Sequence, residues 1–308
     1  MSGDTFMDRF RLEHRLRRGE RLSTYLALDM ALKMEVEVDV LEATLSDLPI
    51  PADRAEEIFD AAMHVRGPCI VTFHGWGEEL DLNRICLVRD RPVGTPLPEI
   101  LEESAHLPRP QLEELLETVI DVLAAAYGRG LFYLGLNPGQ ILIGSRGEVR
   151  LHRVGFGWLL EEIEPALAAK CSPYRAPETD GGVEGSRTSD IYSLAVMVRE
   201  MLPREECGER LQALLERCLD PLPKRRPSSP RLLLEENGWR GEGGRRETSI
   251  APTPTWWPAL PGQDRSGGRS RGPAPLQGAP PPPGSRAGPG RGPGGVAALR
   301  GGLRGACG

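Results

Sequence analysis

The sequence predicts an α+β protein of two lobes with a tail that does not fold. Three observations carry this. Strand-like alternation is confined to the region before Arg89, helical periodicity dominates after it, and the composition changes abruptly beyond Trp239. Residues 10–41 alternate in a strand-like way: Thr24-Tyr25-Leu26-Ala27-Leu28 and Val36-Glu37-Val38-Asp39-Val40 are β-rich, with a turn near Asp29–Lys33. Residues 52–65 read as a helix through Ala52, Ile58, Ala61 and Met63. Two further strands are expected at Ile70–His74 and Ile85–Val88, followed by a hinge near Arg89–Gly94. From Gln111 to Tyr127 a broad apolar face forms from Leu112, Leu115, Leu116, Val119, Ile120, Val122 and Leu123, and helical patterns return at 189–202 and 208–219. Past Trp239 the strings APPPPG, GPGRGPGG and RGGLRG cannot bury enough apolar surface to order a chain. The expected division is 1–92 for the first lobe, 93–239 for the second and 240–308 for a disordered Gly/Pro/Arg-rich tail. No internal repeat is present.

The bulk properties narrow the function. No run approaches the roughly 18 apolar residues of a membrane span, and the N-terminus lacks the apolar stretch of a signal peptide, so no membrane partner and a cytoplasmic location are expected. Six cysteines are scattered without a CxxC, which predicts free thiols rather than disulfides or zinc. From Arg240 onward the chain carries a net +7, leaving −13 on residues 1–239 against −6 for the whole. An acidic body is a poor partner for nucleic acid. The only lysines are Lys33, Lys170 and Lys224.

Six strings then fall in a telling order. They are Leu16–Ala27 leading into Val36-Glu37-Val38-Asp39; Tyr133-Leu134-Gly135-Leu136-Asn137-Pro138-Gly139-Gln140-Ile141-Leu142; Arg153-Val154-Gly155; Ser172-Pro173-Tyr174-Arg175-Ala176-Pro177-Glu178; Ser189-Asp190-Ile191-Tyr192-Ser193-Leu194; and Cys218-Leu219 with Arg226-Pro227. Over about residues 10–230 this order resembles the protein kinase superfamily, and within it the bacterial-type serine/threonine kinases. The resemblance implies a bilobal protein-kinase-like fold: a small antiparallel β-sheet N-lobe with one helix, and a larger helical C-lobe.

The same resemblance implies that the chemistry is gone, as in a pseudokinase. Kinase catalysis is mostly the positioning and neutralising of a triphosphate. The three glycines of the phosphate loop fall on Arg17, Gly19 and Leu22, so one glycine remains. The lysine that pairs the phosphates falls on Asp39, and a carboxylate about 4 Å from phosphate is repelled by about 1–4 kcal/mol. Glu37 occupies the slot that packs on adenine. Strand alternation places Glu37 and Asp39 on one face and Val36, Val38 and Val40 on the other; the competing reading is an edge strand with a solvated charged face. The catalytic base falls on Gly135, the second-metal ligand on Gln140 and the metal-binding Asp on Arg153, or, with a gap, on Gly155. No Asp lies between Asp121 and Asp180, whereas magnesium prefers carboxylate oxygens. Glu148, Glu161, Glu162 and Glu164 read as turn or solvated surface.

Residues that hold the fold are retained. The resemblance implies that Glu178 pairs with Arg226, that Asp190 accepts hydrogen bonds from the backbone of the catalytic-loop slot, and that Tyr133 and Val154 keep apolar bulk between the lobes. The arginine that reads activation-loop phosphate in many kinases is Leu134. The short interval from Asp190 to Arg226 implies loss of the helix that often docks protein substrates. Opposite charges at Asp39 and Arg153 suggest that the two close the site against each other as a partly exposed pair, with Glu37 as a second acceptor.

The function expected on this basis is a catalytically inactive kinase-like domain that binds protein partners as a scaffold or allosteric regulator, with no cofactor and no metal. The alternative is a weakly active or atypical ATP- and magnesium-dependent serine/threonine kinase; a third is a gene product whose fold persists without a selected role. Pro280–Pro283 and Thr253-Pro254-Thr255-Trp256-Trp257-Pro258 are candidate linear motifs in the tail.

Overall fold

A computed structural model of the protein describes residues 5–79, 82–181 and 185–235. The tail and its candidate motifs lie outside the described residues. Six strands form the first sheet: β1 (Thr5–Phe6), β2 (Phe10–Arg18), β3 (Leu22–Asp29), β4 (Met34–Leu41), β5 (Phe73–Glu79) and β6 (Arg84–Asp90). All neighbours are antiparallel, in the order β1-β2-β3-β4-β6-β5. The strand carrying Asp39 is therefore internal, between β3 and β6, and the edge-strand reading of 36–40 is excluded. The strand expected at Ile70–His74 also moves. Only Ile70 of 70–72 pairs, as a parallel bridge to Leu151, and regular β5 begins at Phe73.

Alternation along the strands gives the sheet two buried faces, because one side chain in two points each way. One face packs Phe6, Phe10, Leu12, Tyr25, Val36, Val38, Val40, Cys86 and Val88 into a small separate core. The other receives α1 (Ala52–Ala62), whose Ala55, Ile58, Phe59 and Ala62 are buried at helical spacing.

The second lobe is built on α3 (Arg109–Tyr127), which buries Leu112, Leu115, Leu116, Val119, Ile120 and Leu123 completely or nearly so. Around it lie α2 (Leu97–Glu103), α4 (Gly157–Ile163), α5 (Pro165–Cys171), α6 (Arg187–Met201), α7 (Glu209–Cys218) and α8 (Leu232–Glu235). A three-stranded sheet of β7 (Thr95–Pro96), β8 (Ile141–Ile143) and β9 (Val149–Leu151) faces the first lobe. Gly94, at φ +146°, makes the turn into it, a backbone shape that side chains with a Cβ rarely adopt. Residues 202–208 join α6 to α7 with only a short 3-10 turn, Arg204–Glu206, so no helix stands between them. Cys69, Cys86, Cys171, Cys207 and Cys218 are free thiols.

Candidate functional site

The lobes meet at a cleft floored by β4 and β6 on one side and by the 133–142 loop and the 152–157 turn on the other. Residues directly opposite in an antiparallel pair project to the same face. Glu37 pairs with Arg89 and Asp39 with Leu87 across β4 and β6, so the two acids and Arg89 share the cleft face. Asp39 is wholly buried. Its Oδ2 accepts from Arg153 Nη2 at 3.0 Å and Nε at 3.2 Å, and from Arg89 Nε at 3.3 Å, while Oδ1 accepts from Thr24 Oγ1 at 2.6 Å. Arg89 turns its Nη2 to Glu37 at 2.6 Å. Burial by itself would raise the Asp39 pKa; the charges of Arg153 and Arg89 and the Thr24 hydroxyl outweigh it and hold the carboxyl far below the usual range.

Asp39 and Arg153 thus meet, but not as the sequence describes. Asp39 is fully buried and the Arg153 side chain keeps only about a tenth of its surface exposed, so the small energy expected of a surface ion pair does not apply. Glu37 serves Arg89, not Arg153. Arg89 is the member that sequence reading missed. The sequence offered little signal: Arg89 closes the apolar run Ile85–Val88, but Arg84 and Arg91 flank the same run, and only the β4–β6 register sets Arg89 opposite Glu37.

On the other side, the turn holding Arg153 is shaped by two left-handed residues, Arg153 at φ +57° and Gly155 at φ +82°. Phe156 beyond it is buried against Phe59 of α1 at 5.9 Å and Phe73 at 4.7 Å between ring centroids. An aromatic in that place agrees with the gapped alignment, with Gly155 in the metal slot; Arg153 reaches Asp39 all the same. A Cβ at 155 would lie 2.8 Å from Leu131 Cβ, so the site has no room for a carboxylate there as it stands.

The 133–142 loop is held from below by Asp190, which accepts from the amides of Tyr133 at 3.1 Å and Leu134 at 2.8 Å. Burial pushes the Asp190 carboxyl up to about 7, against the pull of these amides. Asn137 closes the loop on itself, donating to Gly135 O at 2.9 Å and accepting from Gly139 N at 3.0 Å. Tyr133 and Val154 are both buried in the main core. Gly135 sits at φ +141°, and the nearest carboxylate to a Cβ built there is Glu161, whose Oε2 is 3.5 Å away. Gln140 donates to Glu161 Oε1 at 3.0 Å. Glu161 is buried and its pKa is raised by that burial; its Oε2 has no hydrogen-bond partner.

Two acids read as solvated surface are therefore central. Glu161 of α4 enters the loop, and Glu164, between α4 and α5, is buried against the first lobe. Its carboxylate accepts from Leu22 N and Arg21 N at 2.9 Å and Glu20 N at 3.2 Å. Gly19 lies against it, where a Cβ would overlap the carboxylate. Glu148 and Glu162 match the surface reading better: Glu148 accepts from Arg146 N in a turn, and Glu162 pairs with Arg175. Arg17 is on the exposed part of β2, and Leu22 is a core residue.

The frame of the second lobe is a bidentate pair. Arg226 Nη1 and Nη2 reach Glu178 Oε1 and Oε2 at 2.6 and 2.7 Å, Arg226 Nε donates to Asp220 O at 2.7 Å, and Ser189 Oγ donates to Glu178 at 2.8 Å. The Arg226 side chain is fully buried and its guanidinium lies over the Tyr192 ring.

Comparison with known proteins fits this architecture. The chain is similar to the serine/threonine-protein kinase PknA of Mycobacterium tuberculosis, 26% identical over 237 residues, which are 74% of this chain and 55% of that protein. It is similar to a probable serine/threonine-protein kinase PknB of Bifidobacterium longum, 25% identical over 206 residues, 63% of this chain and 30% of that one. The chain thus spans about half or less of the length of these relatives. Among solved structures, the PknI kinase domain of Mycobacterium tuberculosis superposes with a TM-score of 0.62 at 21% identity, over 78% of this chain and 98% of that one, which shows the fold. The family model described as the protein kinase domain matches residues 50–210, just over half of the 308-residue chain, and the protein belongs to that family.

Proposed function

We propose that this protein is a catalytically inactive kinase-like domain that acts in signalling by binding protein partners, as a scaffold or allosteric regulator, in the cytoplasm. The observation that carries the reading is buried Asp39 clasped by Arg153 and Arg89. In active kinases the space between these strands and this turn holds phosphate and metal; here it holds a self-neutralised cluster of this chain's own side chains. The residues present do not suit a magnesium triphosphate. Asp39 and Glu37, paired with Arg153 and Arg89, fill the phosphate and adenine positions with this chain's own side chains, and Gln140 is engaged by Glu161. Binding by the outer surface needs none of these groups, and the lobes held in one arrangement would present a fixed face to a partner. No described helix is long and apolar enough to cross a membrane.

One observation favours the second reading, an atypical ATP-dependent serine/threonine kinase. Glu161 places a carboxylate with a raised pKa beside the Gly135 slot, where a base would act. A single assay separates the two. The full chain is incubated with labelled ATP and magnesium or manganese, against a heat-inactivated control. No incorporation above the control is expected. Robust autophosphorylation abolished by Glu161→Gln would replace the first reading with the second.

A further inference from the structure

Glu164 does something that none of the kinase slots calls for. The turn joining β2 to β3 directs three successive backbone N–H groups, of Glu20, Arg21 and Leu22, at one point, and the Glu164 carboxylate is seated there at 2.9–3.2 Å. Successive amides converging in this way form a concave site for an anion. The turn is closed by Gly19 N donating to Leu22 O at 2.8 Å, and Gly19 is the one loop glycine retained. Its lack of a Cβ is what lets the carboxylate approach. Glu164 comes from far along the chain, next to Ile163 at the end of α4, and α4 also carries Glu161 into the Gly135 slot. Burial works against the charge on Glu164, yet the amides of Arg21, Leu22 and Glu20, together with that of Ala166, keep its pKa below the ordinary value.

We propose that the α4–α5 junction is a built-in occupant of this cleft: Glu164 fills the amide nest of residues 20–22 as an internal anion, latching the 157–164 segment to the first lobe and excluding any external phosphate from that nest. Such a latch does not depend on the function proposed above, since an active and an inactive domain would be held alike. It makes release of α4, by a partner or a modification, the event that would open the loop.

The test is amide hydrogen exchange on the full chain, read on peptides covering residues 19–23, in the parent, Glu164→Gln and Glu164→Ala. Charge-assisted hydrogen bonds to the three amides should slow exchange in the parent by about tenfold or more relative to Glu164→Ala, with Glu164→Gln between them. Inorganic pyrophosphate at millimolar concentration should restore protection in Glu164→Ala and have no effect on the parent. Equal exchange in the parent and both variants would overturn the latch. Loss of protection in the variants without rescue by pyrophosphate would overturn the claim that the nest is an anion site. If Glu164→Ala does not fold, Glu164→Gln with and without pyrophosphate decides both points.

Discussion

Two arginine–carboxylate clusters hold this protein, and the sequence describes one of them more fully than the other. The Glu178–Arg226 pair of the second lobe stands in slots whose residue types the kinase pattern retains. The Asp39–Arg153–Arg89–Glu37 cluster of the cleft joins β4, β6 and the 152–157 turn, and none of its members is among the residues that the resemblance marks as holding the fold. Physically they are alike: a side chain of each is essentially buried, each uses guanidinium forks on carboxylates, and each joins segments distant in sequence. The difference between them is that the second-lobe pair lies in motifs and the cleft cluster is assembled from three separate segments: Arg153 of the turn and Arg89 of β6 meet Asp39 and Glu37 of β4, and each charge finds a partner.

That equivalence is open to measurement. The largest effects are expected from stranding a buried charge. Arg226→Ala and Asp39→Ala should each destabilise the protein by about 3–5 kcal/mol in chemical denaturation, because Glu178 in the one case and Arg153 in the other is left largely out of water without its ion-pair partner. Should Asp39→Ala unfold at the parental denaturant concentration while Arg226→Ala does not, the cleft cluster is ornamental and the likeness fails. A smaller quantity sharpens the comparison. A double-mutant cycle between Asp39→Ala and Arg153→Ala should give a coupling of about 0.5–3 kcal/mol, whereas Asp39→Ala combined with Arg226→Ala, which share no partner, should be additive within about 0.5 kcal/mol.

The pH dependence isolates the acid of the cleft. The folded pKa of Asp39 is lowered, so its stabilisation is fully present above the unfolded value of about 3.9 and is lost as pH falls through and below it. The stability difference between the parent and Asp39→Asn should accordingly be constant above about pH 5 and shrink toward pH 3. A difference that grows on acidification would contradict the assigned charge state. Taking the difference matters, because buried Asp190, raised to about 7, works with the opposite sign. The smallest effect serves as the control. Arg231 and Asp121 pair at 2.8 Å with both side chains about half exposed, and Asp121→Ala should cost about 0–1 kcal/mol.

Much of this was legible in the chain. The alternation of Val36, Val38 and Val40 with Glu37 and Asp39 reported two faces, and the helical face of α3 reported its core side. The ordered strings from Leu16 to Pro227 reported the family. The retained trio Glu178, Asp190 and Arg226 could be paired on paper because their partners are backbone amides or each other. Arg89 and Glu164 could not be placed that way. Arg89 joins the cleft through the β4–β6 register, and that register depends on which strands become neighbours. Glu164 sits in an acidic run, Glu161-Glu162-Ile163-Glu164, that looks solvated at every position.

The sequence by itself determined the two lobes and the family, because local periodicity and motif order are properties of neighbours along the chain. Only the tertiary structure decided that Asp39 is dry, that Arg89 shares it, and that an acid more than 140 residues away caps the amides of the 19–22 turn. Those outcomes depend on removing charges from water, and desolvation is fixed by what packs around a group in space. The same Glu is surface when its segment stands free and an internal ligand when that segment closes on a turn of unpaired amides.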